Sequence, residues 1–431
     1  MDPQQPKHSQ IAIDPQHQTP KVDSSPAEDQ QPATPESPKA QEIRDACGDA
    51  DVSLLVALAS SNGGLLNDDL RKAAWPILLG SRSSNESEFD EVGAEVGGEW
   101  KSLPAHKDEA QVGLDVDRSF VYYPNDSSSL PLDTLRGQLS TLILSVLRTH
   151  PSLSYFQGYH DIAQVLLLVL GPSSSPPALA RLSLLRIRDF MLPSLSGAVT
   201  QLHLLPALLR AADPALAPYL PPNPFWAISA LLTLYAHDVQ SYTHITRLFD
   251  FILAAPATAS LYLFTAVVRA RRDDLLDIDP GDHDMLHVTL TKLPAHRQLD
   301  MDDLIEDACV LLKRHPPSSL GRAWRAVSSK SALKTVMVGA PDVVAQSLED
   351  GEAWLAEQTR QADRQARMHA LYMSVSKTAW RWRRPAAFGL TLAVAVVAVF
   401  LGRGDDIANR KRMFGTALIS MWKTLGGTTR N

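Results

Sequence analysis

Two polar side chains have types and neighbours suited to phosphoryl chemistry. Arg118 ends "QVGLDVDR" (111–118), where Asp115 lies three residues earlier, so on a helix its carboxylate could hold the guanidinium in place. Gln157 lies between aromatic residues and a glycine in "LSYFQGYHDI" (153–162). A guanidinium neutralises charge on transferring phosphoryl oxygens, and an amide, both donor and acceptor, orients an attacking water. The pair is therefore suited to GTP hydrolysis, and neither group needs to titrate.

The standard motifs of other enzyme and binding classes are missing from the sequence. There is no GxxxxGK[ST] phosphate loop, no GxGxxG after a strand, no GxSxG elbow and no HRD or DFG. In "HDMLH" (283–287) two histidines share a helical face without an evident third ligand, which favours a surface helix over a zinc site. The formal net charge of −7 and the lack of a basic face argue against nucleic-acid binding. Cys47 and Cys309 stand alone, as is typical of a reducing, cytosolic setting.

Hydrophobic periodicity from about residue 41 onward predicts an all-α domain that positions these side chains. Residues 131–150 carry leucines and branched residues at intervals of three and four, and 159–171 is apolar nearly all round and ends at Gly171-Pro172. No sustained alternation of period two and no Asn-Gly or Asp-Gly hairpin signal appears. Further helices are predicted at roughly 178–192, 195–211, 226–237, 243–254, 257–271, 282–293 and 300–314.

Composition divides the chain into five segments. Residues 1–40, rich in Pro, Gln and Ser, are predicted to be a disordered tail, because they have too little apolar surface to offset the entropy of ordering. A helical domain is predicted for 41–325, with an acidic surface loop at 81–110. It is followed by a helical spacer at 326–384, in which the mixed-charge stretch 349–377 is expected to be solvated. The remaining segments are a candidate membrane helix at 385–402 and a short tail at 403–431.

The segment 385–402 is predicted to cross a membrane. Its eighteen residues carry no charge and, as a helix, extend about 27 Å, close to the roughly 30 Å hydrocarbon core of a bilayer. Trp380 and Trp382 lie where an interfacial aromatic belt would be. The short tail beyond it is typical of a tail-anchored protein whose large N-terminal part faces the cytosol, although the flanking charges alone do not settle the orientation.

Three motifs, in order, resemble the TBC domain, the two-part, all-helical GTPase-activating module for Rab GTPases. "GLLNDDLRKAAWPILLG" (64–80) is similar to its opening motif, "VGLDVDRSF" (112–120) to its IxxDxxR motif and "YFQG" (155–158) to its YxQG motif. The resemblance implies that Arg118 and Gln157 are catalytic residues supplied in trans to a GTP-bound Rab. GTP and Mg²⁺ would then belong to the partner, and this chain would activate hydrolysis without a cofactor of its own.

The likeness also extends to a branch of the family. "SYFQGYHDIAQVLLLVLG", "RDFMLPSL", "HITRLFDFILAAP" and the single C-terminal anchor resemble the endoplasmic-reticulum-anchored TBC proteins, which implies Rabs of early secretory, ER–Golgi traffic as substrates.

The resemblance also implies supporting roles around the two catalytic residues. Asp115 and Tyr155 would hold them, Gly158 would allow close backbone approach, and Asp161 could cap the following helix. Two alternatives remain open at this point: a catalytically inactive, membrane-anchored Rab-binding adaptor, and an unrelated membrane-tethered scaffold.

Overall fold

All regular secondary structure in the described part of the chain is helical. The computed structural model describes residues 37–82, 98–123, 130–295, 299–368, 370–373 and 416. No β-strand occurs within these ranges, which confirms the prediction of an all-α fold. The predicted tail 1–40 lies almost entirely outside the described residues, as do much of the acidic loop 81–110, the candidate membrane helix 385–402 and nearly all of 403–431.

The helices follow one another with short connections. The first part of the chain contains α1 (Pro38–Gly48), α2 (Val52–Ser60), α3 (Asp68–Leu79), α4 (Glu109–Val116), α5 (Leu132–Thr149), α6 (Tyr159–Arg181), α7 (Ser196–Leu202) and α8 (Leu205–Ala212). The second part contains α9 (Ile228–Leu232), α10 (Tyr242–Ala254), α11 (Ala259–Ala270), α12 (Arg272–Leu276), α13 (His283–Lys292), α14 (Met301–Arg314), α15 (Arg322–Ala326), α16 (Ala332–Thr335), α17 (Ala340–Ala345) and α18 (348–368). Short 3₁₀ helices lie at Gly98–Ser102, Ala217–Tyr219, Pro224–Ala227, Leu293–Ala295 and Pro317–Leu320, and a π-helical turn at Leu182–Arg186.

Polar side chains fix where several of these helices begin. Asp51 accepts a hydrogen bond from the Leu54 N–H at 2.9 Å before α2, and Asn67 accepts one from the Leu70 N–H at 3.0 Å before α3. Asp300 does the same before α14. Each cap satisfies a backbone donor that the first helical turn leaves without an internal partner. Local sequence therefore determines these helix starts.

Helix α6 is the central helix of the core. It packs between α3 and α5 and is apolar on nearly every face up to Gly171, where φ is +74° and the backbone leaves helical geometry before Pro172. The predicted helix end at this glycine therefore coincides with a kink. Among the described residues, only 159–186 forms a helix long and apolar enough to cross a membrane, but most of it is buried inside the protein. Its hydrophobicity is that of a core helix.

A buried ion pair joins the start of the domain to its middle. Asp250 on α10 is fully buried and accepts hydrogen bonds from Arg71 Nε at 3.0 Å, Trp75 Nε1 at 2.9 Å and the Leu65 N–H at 3.0 Å. A buried carboxylate needs such donors because it has lost its hydration. Arg71 and Trp75, prominent in the 64–80 motif, thus connect α3 to α10 and have a structural role.

The structure differs from the prediction where the chain turns without glycine. The predicted helix 226–237 is instead a 3₁₀ turn, the short α9 and a turn in which Leu234 and Tyr235 have φ of +49° and +69°. Side chains rarely adopt this left-handed conformation, so no local residue type announces it. The predicted helix 195–211 is likewise divided into α7 and α8.

Much of the predicted spacer is packed against the domain. On α18, Leu355 is buried and Gln358 Nε2 donates to Asp189 Oδ1 at 2.6 Å. The Arg188 guanidinium lies 4.9 Å from the centre of the Trp354 ring. The expectation that the stretch 349–377 is solvated is wrong for this part of α18. The mixed-charge pattern hid a helix with one buried face.

Candidate functional site

The Arg118 side chain is tethered at its base and exposed at its end. The chain turns beyond α4, and Arg118 Nη2 donates to Asp115 Oδ1 at 2.9 Å while its Nε donates to the Leu114 carbonyl at 3.1 Å. Arg118 is 68% exposed, whereas Asp115 is only 1% exposed. The buried carboxylate thus restricts an otherwise flexible side chain without covering it, which lowers the entropy lost when it engages a partner.

Tyr155 links the arginine segment to the glutamine segment. Its hydroxyl donates to Asp115 Oδ2 at 2.9 Å, and Gln111 Nε2 donates to Asp115 Oδ1 at 3.1 Å. Burial, reinforced by the Asp115 charge, raises the pKa of Tyr155, so the hydroxyl keeps its proton and remains a donor. Asp115 is therefore held from two elements, and Tyr155 lies two residues before Gln157 in the chain.

Gly158 starts α6 in a conformation that favours glycine. Its φ is +104°, and a Cβ built there would lie 2.6 Å from Thr233 Cγ2. Any other residue would combine backbone strain with a steric clash. The backbone at Gly158 therefore lies close to the turn after α9, and the preceding Gln157 is exposed at the helix start.

Arg118 and Gln157 line the same open cleft, of about 540 Å³. The loop after Arg118, the first turns of α6 and the turn after α9 form its walls, to which Tyr122, His160 and His237 also contribute. The two side chains predicted from the sequence, Arg118 and Gln157, thus belong to separate segments that the fold brings to one concave surface.

Comparisons with known proteins bear on this architecture. The model of the Rab-GTPase-TBC domain family matches residues 68–276. The GTPase-activating protein gyp10 of Schizosaccharomyces pombe is 35% identical over 298 residues, covering 68% of this chain and 77% of the relative. The chain belongs to the Rab-GTPase-TBC domain family. It is accordingly a GTPase-activating protein for Rab GTPases, and its TBC domain carries that function.

One further relative and one solved structure are similar to the chain. TBC1 domain family member 20 of Bos taurus is 30% identical over 361 residues, covering 81% of this chain and 84% of the relative. The crystal structure of the Ypt/Rab-GAP domain of Gyp1p superposes with a TM-score of 0.51 at 14% identity, covering 64% of this chain and 99% of that domain. This structural likeness shows the fold alone.

The predicted role of Asp161 as a helix cap is wrong in this TBC domain. Gly158 occupies the cap position of α6 and no side chain caps the helix, whereas Asp161 lies within the first turn. Its Oδ2 accepts from His237 Nδ1 at 3.0 Å, and its Oδ1 lies 3.3 Å from His160 Nε2. A carboxylate in the first turn still stabilises the helix dipole. Asp161 therefore acts as a bridge to the turn after α9.

The pKa values of the two cleft histidines are shifted in opposite directions. The hydrogen bond that His237 donates to Asp161 raises the pKa of His237 above its ordinary value. Burial lowers the pKa of His160, whose Nδ1 lies 3.2 Å from the Tyr155 hydroxyl. His160 is thus a packed histidine, with a side chain only 12% exposed. His237 places a titratable cation at the edge of the cleft.

Sequence reasoning missed two cleft residues of the TBC domain, Gln164 and His237. His237 meets Asp161 across 76 residues of chain, and no local pattern indicates such a contact. Gln164 left a signal, because it is the single amide in the otherwise apolar stretch 162–170. By contrast, His283 and His287 are exposed on α13, and no metal-binding cluster was found among the described residues.

Proposed function

We propose that Arg118 and Gln157 act together, in trans, on GTP bound to a Rab GTPase. The observation that carries this proposal is that both exposed side chains line one cleft, while the buried Asp115 holds Arg118 in place. An activating side chain must reach outward into a partner's nucleotide site and yet be ordered beforehand. The arrangement meets both requirements.

In this mechanism each side chain has one task. The Arg118 guanidinium neutralises charge that develops on the phosphoryl oxygens, and its Nη2 and Nε bonds keep it pointed into the cleft. The Gln157 amide orients the attacking water through its oxygen and donates to the phosphoryl group through its nitrogen. Tyr155 supports Arg118 through Asp115. The nucleotide and Mg²⁺ are held by the partner, so the TBC domain contributes no cofactor.

The proposal has an expected size. An arginine supplied to a GTPase raises its hydrolysis rate by about 10³- to 10⁵-fold. At about 1.36 kcal/mol per factor of ten, this is roughly 4 to 7 kcal/mol of barrier. The decisive test is a panel of Rab GTPases with purified chain, in which at least one Rab should hydrolyse GTP on that scale faster. Rab binding without acceleration of any member would instead identify a catalytically inactive adaptor.

We further propose that the chain is anchored in the endoplasmic reticulum membrane through 385–402 and acts on Rabs of early secretory traffic. The support is the uncharged eighteen-residue segment with its flanking tryptophans and the motif resemblance, since these residues lie outside the described part of the structure.

Deletion of 385–402 is expected to release the protein from membranes into the soluble fraction, because the apolar segment supplies the membrane affinity. The measurement is alkaline extraction of cell membranes, with a variant carrying an unrelated apolar helix of equal length as the control. The control should remain in the membrane pellet. If the deletion variant also stays there, the anchor lies elsewhere in the chain.

A further inference from the structure

We propose that Gln164 is a positioning residue that fixes the loop carrying Arg118 relative to the start of α6. This inference rests on the proposed roles of Arg118 and Gln157. Gln164 is 4% exposed and projects from α6 toward the segment that follows Arg118. Its hydrogen bonds go to the loop backbone and not to either of the two proposed catalytic side chains. Its effect on hydrolysis would therefore be transmitted through the backbone of the loop.

The Gln164 side-chain amide forms hydrogen bonds to both ends of the short loop 120–123. Its Oε1 accepts from the Phe120 N–H at 3.0 Å, and its Nε2 donates to the Tyr123 carbonyl at 3.4 Å. The first is a good hydrogen bond and the second is long, so most of the restraint falls on Phe120. An apolar side chain of the same length would leave both backbone groups without this partner.

The loop needs a restraint because its backbone is strained. Phe120 has φ of +65°, a strained conformation for a bulky residue that persists only when its surroundings hold it. Ser119 Oγ also donates to the Asp115 carbonyl at 3.1 Å, and the Tyr123 hydroxyl donates to the Ala236 carbonyl at 2.8 Å. Gln164 adds a contact directly at the strained residue, two positions after Arg118.

The same helix also determines where Gln157 lies. Gln157 immediately precedes Gly158 at the start of α6, and Gln164 lies on α6 seven positions after Gln157. The Gln164 bonds therefore attach the arginine loop to the rigid element from which the glutamine projects. Because a displacement of about 1 Å at a reacting centre can cost about 10²-fold in rate, the spacing between guanidinium and amide has to be kept. Gln164 provides that spacing.

The test is Gln164→Met in the full chain, assayed by single-turnover GTP hydrolysis on a Rab that the wild type activates. The expected result is a maximal rate lower by about 10- to 100-fold, with little change in the Rab concentration needed for half-maximal rate. Methionine preserves length and apolar packing but removes both loop bonds. A wild-type maximal rate in this variant overturns the inference.

A matched control separates positioning from general loss of stability. Tyr159→Phe removes a buried hydrogen bond made by the same helix, in which the Tyr159 hydroxyl lies 2.7 Å from Ser183 Oγ. This substitution leaves both hydrogen bonds between Gln164 and the loop in place. Thermal unfolding of both variants is measured beside the kinetics. Gln164→Met should lower the maximal rate and Tyr159→Phe should not. An equal loss of rate in both variants would assign Gln164 a merely structural role and overturn the inference.

A double variant then asks whether Gln164 acts through Arg118. In an Arg118→Ala background, Gln164→Met is expected to cause no further loss of maximal rate, because the loop no longer carries a guanidinium to misplace. An additional loss as large as in the wild type would overturn the inference. If the Arg118→Ala variant accelerates GTP hydrolysis by the Rab as much as the wild type does, the proposed catalytic role fails instead, and the two failures are distinguished.

Discussion

Arg118→Ala is expected to reduce activation of Rab GTP hydrolysis by about 10³- to 10⁵-fold, with Rab binding nearly unchanged. The loss is large because the guanidinium is proposed to meet charge that exists only in the transition state, so its removal affects the maximal rate and not the encounter. The measurement is single-turnover hydrolysis combined with direct binding of the GTP-bound Rab. Because Arg118 is largely exposed, the substitution should leave folding intact.

Two controls make this result specific. Arg148→Ala removes a different arginine, paired with Glu109 on α4 and not among the residues lining the cleft, and it should retain activity. Arg118→Lys keeps the charge but loses the planar fork that holds Asp115 and the Leu114 carbonyl, so it should remain strongly impaired. Wild-type acceleration by Arg118→Ala would contradict the arginine-finger mechanism.

Gln157→Ala is expected to lower the maximal rate by about 10²- to 10³-fold, the scale on which a single neutral transition-state donor acts. The amide is exposed at the start of α6, so its truncation should leave the folded TBC domain unchanged. Gln157→Glu should not restore the rate, since a carboxylate would repel the phosphate oxygens it has to approach. Single-turnover hydrolysis of Rab-bound GTP, at a saturating concentration of each variant, gives both maximal rates.

A variant of the partner provides an independent check of Gln157. If this glutamine orients the water, a Rab whose own catalytic glutamine is replaced by leucine should still be activated by the wild-type chain. The same Rab should respond far less to Gln157→Ala. Equal activation by the two chains would show that the water is oriented by another group.

The sequence was sufficient for the residues whose roles depend on short-range pattern. Asp115 holds Arg118 across three residues, as the spacing predicted, and the helices 131–150 and 300–314 appear within one residue of their predicted ends. Both cases depend on periodicity and spacing within one helix. The motif resemblance implied that Arg118 and Gln157 act together, whereas the cleft that both line was visible only in the structure.

What the sequence could not supply are contacts between distant segments. Asp161 meets His237, and Gln164 meets Phe120, only because α6 packs beside the turn after α9 and the loop after α4. The left-handed turn at Leu234 has no glycine or asparagine to mark it. The buried face of α18 likewise depends on Asp189, which becomes a partner only after folding.

The docking of α18 onto the TBC domain has a consequence for reach. Its contacts with Arg188 and Asp189 fix the first half of the helix to the body of the protein. The distance from the domain to an anchor is therefore limited by the exposed end of α18 and by the length of chain beyond it. Fully stretched, 374–384 extends at most about 40 Å. With 385–402 embedded in the membrane as proposed, the domain would be restricted to cytosol close to the membrane surface. It would then meet chiefly those GTPases that share that surface.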